Sequence, residues 1–178
     1  MTMPSTTLPT LTAILVLAPW LSAADLGYVK PDSWVAVKTT SSMRVAQFTI
    51  PRAPGDSADA ELVLYYFGGS GGSVEANIDR WIGQMQQPDG RPSSAVAKRS
   101  SRTVNGLEVT LVDVSGTYVA EMSPGASERH NSPNFRLRAA VVTTPKGPYF
   151  IKLTGPAKTV AASEPAFERF LSSLKYQS

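Results

Sequence analysis

The sequence predicts an α+β domain in which an antiparallel sheet carries a mid-chain helix and a C-terminal helix, an α/β sandwich. Three observations lead there. Residues 61–85 pass from a nearly unbroken apolar strand through Gly68-Gly69-Ser70-Gly71-Gly72-Ser73 into an amphipathic helix. Two short turn signals, Asn105-Gly106 and Pro145-Lys146-Gly147, each lie between β-branched and aromatic runs, as hairpins require. The chain then closes on an apolar stripe at Phe167, Phe170, Leu171 and Leu174, the spacing of one helix face. With 178 residues, 42% hydrophobic and 17% charged, the chain has the length and apolar content of one core.

Residues 1–24 contain no Asp, Glu, Lys, Arg or His and centre on Leu11-Thr12-Ala13-Ile14-Leu15-Val16-Leu17. That run is shorter than the roughly 20 apolar residues a bilayer span needs. Ser22 and Ala24 place small residues at alternate positions, as a signal-peptidase site does, so residues 1–24 are expected to be a signal peptide and residues 25–178 the exported domain. Cleavage fits after Ala24 and, less well, after Ala23. The n-region lacks Lys and Arg, which departs from the usual leader pattern. The localisation expected is periplasmic or extracellular, with membrane contact only through an uncleaved leader.

After a turn-rich lead-in at 26–33, the runs 34–37 and 43–50 read as a hairpin. Proline and glycine within 51–56 break the strand at the surface. Residues 61–67 are expected at the sheet centre, covered on both faces. In the helix that follows, Val74, Ile78, Trp81, Ile82 and Met85 form the apolar stripe, Ser73 is the N-cap and Glu75 complements the positive end of the dipole. Pro88-Asp89-Gly90 is the expected stop. Residues 91–102 read as a serine-rich basic connector, and 107–114 as a strand that 115–119 continue after a bulge. Residues 123–134 are expected to form a mobile polar loop, followed by strands at 135–144 and 148–154. In the terminal helix Ser163 is the expected cap and Pro165 is admitted by the first turn.

Asn105-Gly106-Leu107-Glu108 opening a strand, Tyr149-Phe150-Ile151-Lys152-Leu153-Thr154-Gly155-Pro156 closing a hairpin, and Phe167-Glu168-Arg169-Phe170-Leu171-Ser172-Ser173-Leu174-Lys175 ending the chain resemble, in this order, the PsbP-like fold group. That group includes oxygen-evolving-complex subunits and bacterial exported proteins without known activity. The resemblance implies a binding or accessory role and assigns no site residue.

The chemistry legible in the sequence is mostly exclusion. No cysteine is present, which removes disulfides, thiolate metal sites and thiol nucleophiles. His130 is the single histidine, so a multi-histidine metal site is excluded, and it reads as a surface side chain in a polar loop. The glycine turn lacks the Gly-Lys-Ser/Thr of a P-loop and the third glycine of a dinucleotide fingerprint. The basic residues Arg91, Lys98, Arg99 and Arg102 have no interleaved aromatics for base stacking, and no nucleic acid is expected. A net charge of +3 permits anionic partners without demanding them.

What remains is a candidate ligand site where the glycine turn meets the helix flank: Gly71, Gly72 and Ser73 through free amides, Asn77, Arg80 and Gln84 through side chains. No catalytic residue, metal or cofactor is assigned. The expected function is an exported non-enzymatic binding or accessory domain whose partner is a protein or small molecule. Two alternatives stand beside it. One is an enzyme using Arg80, Lys152 and a carboxylate on a small anionic substrate near the glycine-rich turn, which requires Arg80 and Lys152 to share one pocket. The other is a structural subunit of an envelope complex, which requires a large exposed apolar patch.

Overall fold

The structure, a computed structural model, describes residues 21–23 and 25–177. The expected leader falls almost wholly outside them. Of it, only Leu21–Ala23 is described, as strand β1, paired antiparallel with β2 (Leu26–Tyr28). The lead-in expected at 26–33 therefore begins as a strand, and β2 pairs also with β11 (Lys175–Tyr176) at the chain's far end.

The main sheet runs β3 (Val35–Ala36), β4 (Arg44–Ile50), β5 (Ala60–Tyr66), β10 (Tyr149–Pro156), β9 (Ser132–Val142), β8 (Leu107–Tyr118) and β6 (Met85–Gln86), with β7 (Lys98–Val104) also on β8. Every pairing is antiparallel. Strand β5 pairs on both edges, as its apolar run requires, and Leu62, Val63 and Leu64 are buried. Asn105 and Gly106 both take positive φ, 48° and 82°, which is how a two-residue turn matches the twist of β7 and β8. The Asn105 amide also donates to the Ser172 and Leu174 carbonyls at 3.2 and 2.8 Å, tying that turn to the end of the last helix.

Two cores flank the sheet. One lies beneath α2 (Ala157–Ala162) and α3 (Glu164–Ser172), where Phe167, Phe170 and Leu171 pack with Trp34, Phe48, Leu62 and Ile151. The other lies beneath α1 (Val74–Ile82), where Ile78, Trp81 and Ile82 meet Val112, Leu137, Val141 and Phe150. Burying each such side chain is worth about 2 kcal/mol, so α1 is held mainly by this face.

Four expectations change in detail. Met85 is buried, but as the first residue of β6, because Gly83 ends α1 and the chain extends to pair with Tyr118 and Thr117. The basic connector at 91–102 instead contains a short 3-10 turn at Ser93–Ala95 and most of β7, an exposed edge strand whose lysine and arginines also deter further pairing. The single terminal helix is a pair broken at Ser163. That serine does not cap α3 with its side chain, since its hydroxyl donates to the Val160 carbonyl at 3.0 Å. Finally, the last strand of the sheet hairpin runs on to Pro156.

Candidate functional site

Helix α1 is fastened at its N-terminal end by short-range chemistry. Ser73 Oγ accepts from Ala76 N at 3.1 Å, the expected cap. Gly72 has φ of +80°, and a Cβ on Gly71 would meet Phe150 and Phe67 ring atoms at 2.5 to 2.9 Å, so both glycines are needed for the turn to lie on the sheet. Asn77 is 3% exposed and donates to the Gly71 and Ser73 carbonyls at 2.7 and 2.9 Å. Its Oδ1 accepts from Arg80 Nη2 at 2.6 Å. On the outer face Glu75 and Asp79 both pair with Arg99 of β7.

Beyond the C-terminal end of α1 the sheet is left uncovered, and a cleft of about 870 Å³ opens there. Its floor is the face of β5 and β10 that carries Glu61, Val63, Tyr65, Phe150, Lys152 and Thr154. Arg80, Trp81, Gly83 and Gln84 form the helix wall, and Arg44 enters from β4. Opposite stand Tyr118, Phe135 and the segment 119–131, whose limbs are joined by a Glu121–Arg129 bridge and by His130 N donating to the Ala120 carbonyl at 2.9 Å. His130 is half-buried and packs on the Tyr118 ring, centroids 5.0 Å apart, so it belongs to this wall more than to open surface.

The cleft's electrostatics centre on Lys152. Its Nζ donates to Gln84 Oε1 at 2.6 Å and to Tyr118 Oη at 3.0 Å, and lies 5.0 Å from the Tyr118 ring centroid. No carboxylate pairs with it among the described residues. Desolvation lowers its pKa to about 8; Glu61 opposes that shift, while Arg80 and Arg44 add to it. Burial pushes the Tyr118 phenol up to about 12, with smaller contributions from Tyr65 and Glu61, so it is neutral at pH 7. Glu61 is engaged by Gln47 Nε2 at 2.6 Å and by Arg44 at 4.0 Å, and the Arg44 guanidinium lies over the Tyr65 ring. Arg80 has no ion pair among the described residues. Thr154 Oγ1 is buried with no hydrogen-bond partner among them. The arrangement therefore offers two cations without counter-charges among the described residues, and aromatic walls.

Of the residues singled out in the sequence, Arg80 and Gln84 line this cleft, and Asn77 is linked to it by holding Arg80. Gly71, Gly72 and Ser73 sit at the opposite end of α1 and do not line it. Arg80 and Lys152 do share one cleft, with Glu61 present. Sequence reasoning passed over Tyr65, Tyr118 and Thr154. One signal was available: in Phe150-Ile151-Lys152-Leu153-Thr154, a lysine and a threonine alternate with core residues in the most central strand. Among the described residues no group of three or more His, Asp or Glu side chains is placed to hold a metal ion.

No protein-family model matches the chain, and no curated protein sequence does. Solved structures do. The solution structure of cyanobacterial PsbP from Synechocystis is similar over 94% of this chain and 98% of its own, at 10% identity and a TM-score of 0.52. LpqN of Mycobacterium tuberculosis, described as involved in cell envelope biogenesis, is similar over 86% of this chain and 83% of its own, at 11% identity and a TM-score of 0.51. PA94 of Pseudomonas aeruginosa, described as a protein of unknown function and candidate regulator, covers 90% of this chain and 97% of its own at 14% identity and a TM-score of 0.50. The chain has a PsbP-like fold. At these identities the likeness extends to architecture alone.

Proposed function

We propose that the protein is an exported accessory domain that binds a small anionic molecule in the cleft between α1, strands β5 and β10, and the segment 119–131, without transforming it. One observation carries this reading: Lys152 and Arg80 converge on the same cleft, and neither is paired with a carboxylate among the described residues. Holding an ammonium with only neutral partners at the floor of a cleft is costly. A bound anion offsets that cost. Export is supported by the uncharged leader and its small-residue site. Cleavage after Ala24 removes β1 and leaves β2 paired with β11, with Asp25 still joined to Lys146 at 2.8 Å. The description of LpqN as involved in cell envelope biogenesis is in keeping with an exported role.

Titration with 8-anilinonaphthalene-1-sulfonate, an aromatic anion, tests the site. Saturable one-to-one binding that Lys152→Met and Arg80→Gln both weaken is the expected result. Binding that neither substitution alters places the anion elsewhere and ends the proposal. A second reading, an enzyme acting on the same class of anion, is favoured by the Lys152 amine, whose pKa of about 8 makes it a proton acceptor near neutral pH. It predicts that a bound compound is recovered chemically altered, whereas the binding reading predicts recovery unchanged.

A further inference from the structure

This inference rests on the cleft being an anion site. We infer that its ligand is a monocarboxylate carried on a planar aromatic body, with the carboxylate held by Lys152 and Arg80 and the ring system between the aromatic walls. The charge of the ligand follows from the direction of α1. The helix meets the cleft with its C-terminal end, at Gly83 and Gln84, the negative pole of its dipole. Glu61 on the floor has Arg44 beside it at 4.0 Å, so that pair adds no net charge. The negative helix end disfavours a dianion such as a phosphate monoester. The amide-rich glycine turn that would suit phosphate lies at the far end of the helix.

The number of donors also fits a carboxylate. Lys152 has three N–H groups, two of which meet Gln84 and Tyr118, and Arg80 has one of its N–H groups on Asn77. The remaining donors match the two oxygens of one carboxylate. The body of the ligand follows from the walls. Tyr65 and Phe67 stand parallel at 5.9 Å with a 9° interplanar angle, and Tyr118 and Phe135 stand parallel at 6.2 Å, also at 9°. All of these rings line the cleft, whose volume of about 870 Å³ accommodates a two-ring acid.

The experiment compares 2-naphthoate, its neutral isostere 2-naphthamide, and 2-naphthyl phosphate against the isotope-labelled exported protein, with affinities from calorimetry and location from amide shift changes. The expected result is that 2-naphthoate binds about tenfold or more tightly than either competitor. It should also move the amides of Lys152, Tyr118 and Trp81. Arg80→Gln, on an exposed side chain that leaves folding intact, weakens naphthoate about fivefold or more while leaving naphthamide unchanged. Lys152→Met does the same. Equal binding of acid and amide overturns the carboxylate class, as does a preference for the phosphate, and both leave the cleft standing as a ligand site. If none of the three compounds moves these amides, the site itself falls, and this inference with it.

Discussion

Replacing Lys152 with methionine should change how stability depends on pH, and the sign and size follow from the cleft. Burial holds the folded-state pKa at about 8, whereas the unfolded chain carries an ordinary lysine near 10.5. Between these values the unfolded state binds more protons, so stability rises with pH across that window. Below pH 8 the lysine is charged in both states and its burial penalty is present in full, about 3 kcal/mol. From pH 7 to 9.5 the wild-type protein should therefore gain about 2 kcal/mol from this group. Above pH 10 the gain reverses, because Tyr118, raised to about 12, keeps its proton in the folded state after the unfolded chain has lost it. Tyr28, Tyr65 and Tyr149, each raised by burial, act in the same sense. Urea unfolding at pH 7, 8, 9 and 9.5 should show the rise in wild type and a flat profile in Lys152→Met. Parallel profiles for the two proteins would mean that Lys152 is solvated and that the cleft floor is not as described.

Other perturbations test how the cleft is built. Asn77→Ala removes two bonds to turn carbonyls and the anchor of Arg80, and should cost about 2 kcal/mol in urea unfolding, with Asn77→Asp worse because its carboxylate faces those same carbonyls. A substitution tolerated within about 0.5 kcal/mol would show that Asn77 does not hold the turn to the helix. Gly71→Ala forces a methyl group against Phe150 and Phe67 and should lower stability by about 1–3 kcal/mol; an unchanged denaturation midpoint would show that the turn can lift off the sheet. Arg138, with a side chain 11% exposed, faces Asp113, Glu164 and Glu168 and lies over the Phe167 ring, so Arg138→Ala should cost about 3 kcal/mol. Restoration of that loss by high salt would instead indicate a solvent-screened surface pair. Tyr118→Phe removes one acceptor from Lys152 and should lower its pKa further, as followed by its side-chain resonance.

The parts of the fold readable from sequence were those set by local chemistry. The two hairpin turns, the Ser73 cap and the stripe Ile78, Trp81 and Ile82 depend on residues a few positions apart, and each is found where its pattern places it. What escaped was decided by distant partners. Strand β7 has little strand character of its own and exists because β8 pairs with it through the Asn105-Gly106 turn. Met85 continues the helical stripe in sequence, yet the Tyr118 strand claims it once Gly83 ends the helix. The cleft is less legible still. Arg80 and Gln84 stand out on a helix flank, but Glu61, Tyr118 and Lys152 come together only because β5 and β10 are neighbours and the chain between β8 and β9 folds back over them. The free amides of Gly71, Gly72 and Ser73 point to an anion at the N-terminal end of α1, whereas the two cations without an ion pair among the described residues lie toward its C-terminal end.

The claim that an organic anion sits on Lys152 is tested most directly by titrating the Lys152 ammonium by NMR with and without saturating 2-naphthoate. The expected values are a pKa near 8 in the free protein and a rise of about one unit or more when the carboxylate is bound, because an opposite charge at contact favours the protonated amine. A Lys152 pKa unmoved by a ligand that demonstrably binds would contradict it.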